Sequence, residues 1–201
     1  MAYDSYNEPV PIPRGGVRFP LELRPPPGFR PAELHTWPRA IGRLEYVGGR
    51  LLYMPPCGDD QQDVGASVAG VLEAWNLEHP EFIVGSNEAG MILGGEIRGA
   101  DAAIWRREDL GERTGGYRRI APTLAVEIAG NEEGEHELRD KARWYFAHGV
   151  RAVWLVFPAT REVIILAPGG ESRCRPGDRL PPTEGLPDLA PTVESFFWKL
   201  G

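Results

Sequence analysis

Two short apolar runs each carry a single carboxylate, and no other feature constrains the fold as much. Asp101 stands in Arg98-Gly-Ala-Asp-Ala-Ala-Ile-Trp105 and Glu127 in Pro122-Thr-Leu-Ala-Val-Glu-Ile-Ala129, runs whose length and composition read as buried strands. Burying an ionised carboxylate is costly unless a cation, a donor or a proton offsets the charge. Two such strands in one chain therefore point to one shared acidic site rather than to two accidents. With 201 residues, 42% of them hydrophobic and 25% charged, the chain suits a single domain with a sizeable core.

The surrounding elements can be read from periodicity and turn chemistry. Residues 1–30 are rich in proline and poor in periodic apolar positions, so they read as an extended arm preceding a domain over 31–201. Pro31 to Ile41 is expected to hold a short helix. Gly48-Gly49 separates Leu44-Glu-Tyr-Val47 from Arg50-Leu-Leu-Tyr-Met54 and predicts a tight hairpin. Val64, Val68, Val71, Leu72 and Trp75 share one face of a helix over about 60–78. Phe82-Ile-Val-Gly85 and Gly90-Met-Ile-Leu-Gly94 read as two short strands before the Asp101 and Glu127 strands. Leu138, Ala142, Tyr145 and Phe146 mark a second helix ending at His148-Gly149. Val153–Phe157 and Glu162–Leu166 form a last hairpin around Pro158-Ala-Thr-Arg161, and the Gly- and Pro-rich tail ends in a closing helix near 191–198. Antiparallel strands followed by a strand, helix, strand crossover predict an α/β fold, a mixed central sheet flanked by helices.

Composition narrows the function classes. A net charge of −7 argues against a dedicated nucleic-acid coat, since non-specific affinity rests on basic groups. It still allows a local basic groove. Arg98, Arg106, Arg107, Arg118, Arg119, Arg139, Lys141, Arg143 and Arg151 cluster in the segment that holds the two carboxylates, either as such a groove or as solvated charges on helix and loop faces. Cys57 and Cys174 match no metal-ligand spacing and read as free thiols. No apolar stretch is long enough for a membrane helix and no signal-peptide pattern stands at the start, so the expected location is cytoplasmic, with no membrane partner. Phosphate-loop, dinucleotide and zinc-protease motifs do not occur.

The chemistry around the acidic pair follows from strand alternation. Glu127 shares a face with Ala125 and Ala129, and Asp101 with Ala103. These small neighbours leave space for an ion. A hard cation such as Mg²⁺ or Mn²⁺ takes oxygen ligands and keeps several waters, so Asp101, Glu127 and the Ile128 carbonyl would suffice. Lys141 lies three residues after Leu138 and four before Tyr145, on the edge of the stripe that faces the sheet, where its ammonium can pair with Glu127. Its alternative is a snorkelling or purely structural lysine. Asp101 could equally be a turn or cap residue, and Glu127 a structural carboxylate. If the two carboxylates only repel each other, Glu127→Gln should leave stability unchanged or raised; if Glu127 serves a buried hydrogen-bond or ion-pair network, the same change should cost about 1–3 kcal/mol.

The order Asp, Glu, Lys, together with Glu45-Tyr-Val-Gly-Gly-Arg50, Asp140-Lys-Ala-Arg-Trp-Tyr-Phe-Ala-His-Gly-Val-Arg-Ala-Val-Trp-Leu-Val156 and the late Leu186-Pro-Asp-Leu189, resembles the Uma-type restriction endonuclease family of bacteria, within the PD-(D/E)xK nuclease superfamily. The resemblance spans about 30–198. It implies a restriction-endonuclease-like fold and a divalent-metal site, with Asp101 and Glu127 as motif carboxylates. Lys141 would be the catalytic lysine supplied from the helix, because Ala129 occupies the position two after Glu127. Glu45 matches the family's hairpin glutamate. The chain departs from the pattern at Ala100 (usually proline), at Gly130-Asn131 (Ser-Pro), at Gly48-Gly49-Arg50 (Asp-Gly-Glu) and at Gln61-Gln62, where a histidine is common.

By that likeness the expected function is a metal-dependent endonuclease hydrolysing DNA phosphodiesters, with catalytic residues Asp101, Glu127, Lys141 and Glu45 and a Mg²⁺ or Mn²⁺ cofactor. The expected partner is nucleic acid, DNA before RNA, and a homodimer is compatible with the sequence. The alternative is a catalytically silent nuclease-fold module that binds nucleic acid or protein. A third reading, another metal-assisted hydrolysis, suits the acidic charge but has no motif behind it.

Overall fold

The computed structural model describes residues 19–201 apart from 41, 55, 131 and 132. In chain order its strands are β1 (Leu21–Leu23), β2 (Arg43–Val47), β3 (Arg50–Met54), β4 (Phe82–Leu93), β5 (Glu96–Arg106), β6 (Leu124–Ile128), β7 (Ala152–Phe157), β8 (Glu162–Ala167) and β9 (Gly170–Cys174). Its helices are α1 (Asp59–Glu78), α2 (Glu135–Ala147) and α3 (Glu194–Phe197). Gly48 and Gly49 both adopt positive φ, +59° and +76°, as a two-residue hairpin turn between β2 and β3 requires.

Where the elements differ from the sequence expectation, local chemistry explains the difference. Most of the expected arm lies outside the described residues, but its last part supplies β1, which pairs antiparallel with β3. The helix expected after Pro31 shrinks to a 3₁₀ turn, Leu34–Thr36. Pro38 holds Trp37 extended, at φ −74° and ψ 147°, and a residue before proline is disfavoured in the helical region. The two short strands expected around 82–94 are one strand, β4, with a bulge between Ser86 and Ala89. At the bulge Asn87 and Glu88 both take positive φ. β9 escaped notice because four of its five residues are exposed and polar or small, leaving no alternation to detect.

Helix α2 starts and stops for identifiable reasons. The Glu137 carboxylate accepts the Gly134 backbone N–H at 3.0 Å, half of the reciprocal capping seen at helix starts. Gly149, at φ +89°, follows the C-terminal cap. Its N–H donates to the Phe146 carbonyl and that of Val150 to the Tyr145 carbonyl, the bonding pattern of a Schellman end.

The nine strands form one sheet in the order β1, β3, β2, β5, β6, β7, β8, β9, with β4 paired to β5 off this path. All neighbours are antiparallel except β6 and β7, which are parallel through the α2 crossover. One face packs against α1 and α3 through Val64, Val68, Leu72, Ile104, Val126, Ile128, Trp154 and Phe196. The other packs under α2 through Ala103, Trp105, Ala125, Leu138, Ala142, Tyr145 and Leu155. Each carboxylate strand is thus buried on both sides.

A divergence of strands opens the site. β4 lies along one edge of β5, so β2 and β6 share the other: β2 meets it at Ile97 and β6 at Ala102 to Ile104. Between them β5 runs through Arg98, Gly99, Ala100 and Asp101 with no strand on that edge. Buried backbone donors need partners, and carboxylates supply them here. Gly99 N–H donates to Glu45 Oε1 at 3.3 Å, and Ile128 N–H donates to Asp101 Oδ2 at 2.7 Å.

Candidate functional site

Glu127 is fully buried near the end of β6, and both of its oxygens are engaged from α2. Lys141 Nζ donates to Oε2 at 3.0 Å, and the Tyr145 hydroxyl donates to Oε1 at 2.5 Å. Lys141 and Tyr145 are one helical turn apart, so both side chains reach the same point on the sheet. The ammonium also meets Glu133 Oε1 at 2.7 Å. Burial presses Lys141 toward neutrality, but Glu127 and Glu133 more than offset it and hold its pKa above the ordinary lysine value. Burial, then the adjacent Glu127 charge, push the Tyr145 hydroxyl well above the usual phenol range. Glu133 is held below the usual carboxylate range: burial opposes this, and Lys141 outweighs the burial.

Asp101 faces the same pocket. Its carboxyl is pushed up to about 7, first by burial and then by the charge of Glu127, against the opposing pull of Lys141 and Arg43. Its Oδ2 is held by the Ile128 N–H. Its Oδ1 stands 3.9 Å from Arg43 Nη1, beyond hydrogen-bond reach. Glu45, also buried, stands on the β2 side of the opening, with Arg98 Nε at 3.2 Å and Arg43 Nε at 3.9 Å. Arg98 in turn lies over the Trp144 ring, 5.1 Å from its centroid. Asp101, Glu127, Lys141, Glu45 and Ile128 therefore come together in one charged network. The two carboxylates do not merely repel each other, because Lys141 and Arg43 stand among them.

Several members of the network were not singled out in the sequence. Arg43 lies two residues before Glu45, on the same strand face, and that spacing is the signal that points to it. The sequence pattern marks Tyr145 only as an apolar stripe residue, though its hydroxyl is the partner of Glu127. Glu88 lies between the two strands expected at 82–94, and the β4 bulge sets it at the rim, where it accepts from Arg43. Gln61 donates from Nε2 to the Ile128 carbonyl at 3.0 Å, which brings the start of α1 into the site. Asn131, one of the departures from the family pattern, lies outside the described residues. Gly130 is hemmed in, since a Cβ there would stand 3.2 Å from Gln61 Oε1 and 3.4 Å from Glu133 Oε2.

Several of the basic residues of 98–151 are tied into separate contacts. Arg139 pairs with Glu135 and Glu171, Arg143 with Asp140 and Arg106 with Glu108, while Arg118 lies over the Trp105 ring. Cys57 is exposed, Cys174 is buried, and both are free thiols. Among the described residues no helix is long and apolar enough to cross a membrane.

The site's oxygen donors suit a hard cation. Among the described residues Asp101 Oδ1 has no close hydrogen-bond donor, and the Ile128 carbonyl, which accepts one bond from Gln61, keeps a second lone pair. Among the described residues no group of three or more His, Cys, Asp or Glu side chains could hold a metal ion, so such a cation would rest on two carboxylates, a carbonyl and water.

Comparison with known proteins agrees with the motif order. The family Uma2, described as "Putative restriction endonuclease", matches residues 31–194. The chain belongs to the Uma2 family. Among solved structures it is similar to a putative nuclease of the DUF820 group from Anabaena variabilis, with a TM-score of 0.75 and 16% identity over 86% of this chain and 99% of that one. At that identity the likeness establishes the fold, which is restriction-endonuclease-like. The comparison with curated proteins found no match. The Uma2 match starts at residue 31, so β1 lies outside it.

Proposed function

We propose that this Uma2 protein is a metal-dependent endonuclease that hydrolyses phosphodiester bonds, with DNA as its substrate. The observation that carries the reading is the fully buried Glu127, bridged by Lys141 and Tyr145 beside Asp101. A fold rarely holds two neighbouring carboxylates, one of them with its pKa raised to about 7, without a use for them.

Asp101, Glu127 and the Ile128 carbonyl would hold Mg²⁺ or Mn²⁺, which when bound polarises a phosphodiester and makes a bound water more acidic. The protein's own groups supply the rest. Tyr145 fixes one Glu127 oxygen, so the carboxylate cannot turn away from the site. Lys141 keeps its proton at neutral pH and can orient the attacking water and offset charge growing on the phosphate. Glu45 holds Arg98 and Arg43 at the edge of the opening.

The silent-module reading draws on one observation of its own. Both Glu127 oxygens already have protein partners, so Glu127 is satisfied without a cation. End-labelled single- and double-stranded DNA and RNA, incubated with the purified protein and Mg²⁺ or Mn²⁺, separate the two. Internal cleavage of DNA that EDTA stops supports the nuclease, and binding without cleavage supports the module.

A further inference from the structure

The guanidinium of Arg43 stands at the edge of the site among three carboxylates, Glu45, Glu88 and Asp101. Its side chain is only 14% exposed. Nη1 hydrogen-bonds Glu88 and stands 3.9 Å from Asp101 Oδ1, and Nε stands 3.9 Å from Glu45 Oε1. Nη2 meets the Met54 thioether at 3.1 Å. Nε is buried and has no hydrogen-bond partner among the described residues. Arginine has five donors in a rigid fork, so this one balances charge while its hydrogen bonding stays incomplete. That combination describes a counter-ion more than a structural strut.

Its anchor sits to one side. Glu88 belongs to the β4 bulge, where it and Asn87 take left-handed φ of 61° and 57°, a conformation non-glycine residues hold only when the surroundings impose it. Gly99 opposite allows this: a Cβ there would stand 3.3 Å from Glu88 Oε2 and 3.4 Å from its backbone carbon. Glu88 itself is 42% exposed. It therefore holds Arg43 from the rim while the guanidinium leans toward Asp101.

We propose that Arg43 is a tethered cation that competes with the divalent metal for Asp101, and that metal binding moves it off Asp101 while Glu88 retains it at the rim. The proposal rests on the metal-site reading above. It makes Arg43 a positioning residue that sets the metal threshold.

Calorimetric titration of Mn²⁺ into the full chain and into Arg43→Gln and Arg43→Lys tests it. Arg43→Gln should bind about tenfold tighter or more than the unmodified chain, because one positive charge a few ångströms away is gone. Arg43→Lys, which keeps the charge, should bind with the unmodified chain's affinity. A second measurement needs no variant: phenylglyoxal modification of Arg43, located by peptide mass, should rise severalfold on saturation with Mn²⁺. If Arg43→Gln does not fold, this measurement decides alone. Equal or weaker Mn²⁺ binding by a folded Arg43→Gln, or modification that Mn²⁺ leaves unchanged, overturns the proposal while the site stands. Absence of Mn²⁺ binding in the unmodified chain and in Arg43→Gln overturns both.

Discussion

The Lys141 ammonium stands 3.0 Å from Glu127 Oε2, across 14 residues of sequence, and this contact joins helix α2 to the carboxylate strand. Lys141→Met should leave Glu127 buried without its nearest cation. Breaking a buried pair by removing one partner costs on the order of 3–5 kcal/mol. Urea denaturation of the two proteins measures it, and a loss below about 1 kcal/mol would mean the contact behaves like a surface pair.

Glu127→Gln separates two expectations drawn from the sequence. Read as one of two repelling carboxylates, Glu127 could be neutralised at no cost. In the structure it is the acceptor for both Lys141 and Tyr145, so its replacement should destabilise the fold by about 1–3 kcal/mol. The cost stays below that of Lys141→Met because Lys141 keeps Glu133. Thermal melts in EDTA check the order of the two variants.

Asp101 makes stability fall with pH. Its folded-state pKa is raised to about 7, above the unfolded value of about 4. The folded protein therefore binds the proton more tightly, and stability is lost as pH rises from about 4 toward about 7. Asp101→Asn should flatten that window in the metal-free protein and be the more stable form at pH 8, by on the order of 2 kcal/mol. A difference in stability between the two proteins that does not change from pH 4.5 to pH 8 contradicts the assignment.

Tyr145→Phe removes one donor to Glu127 and nothing else. A cost of about 1–2 kcal/mol is expected. In an ultraviolet pH titration the native protein should keep Tyr145 un-ionised well above the ordinary phenol range while the fold lasts, since burial and the Glu127 charge raise its hydroxyl. Tyr145→Phe should show one fewer late-titrating tyrosine than the unmodified chain.

Much of this site was legible because strands and helices have fixed periods. Alternation put Glu127 on the Ala125 face and Asp101 on the Ala103 face, and the α2 stripe put Lys141 toward the sheet. The parts that escaped depend on contacts between distant elements. Glu88 enters the site only because β4 bulges, and nothing in Ser86-Asn-Glu-Ala89 announces left-handed backbone at two consecutive residues. Gln61 reaches Ile128 from a helix start 67 residues away. Arg43 was the missed opportunity, since its spacing from Glu45 was visible. The scattering of the arginines of 98–151 into separate ion pairs was readable only in part: Arg139 with Glu135 and Arg143 with Asp140 follow from helical spacing, whereas Glu171, which also takes Arg139, comes from β9.

The central claim is that Glu127 and Asp101 form a working phosphodiesterase site. The most direct measurement is conversion of supercoiled plasmid to nicked and linear forms by the purified protein with Mg²⁺ or Mn²⁺, beside folded Glu127→Gln. Metal-dependent conversion by the unmodified protein, stopped by EDTA and lost in Glu127→Gln, is the predicted result. No cleavage by the unmodified protein under any of these conditions, with Glu127→Gln still destabilised, would contradict it and leave Glu127 as a structural carboxylate.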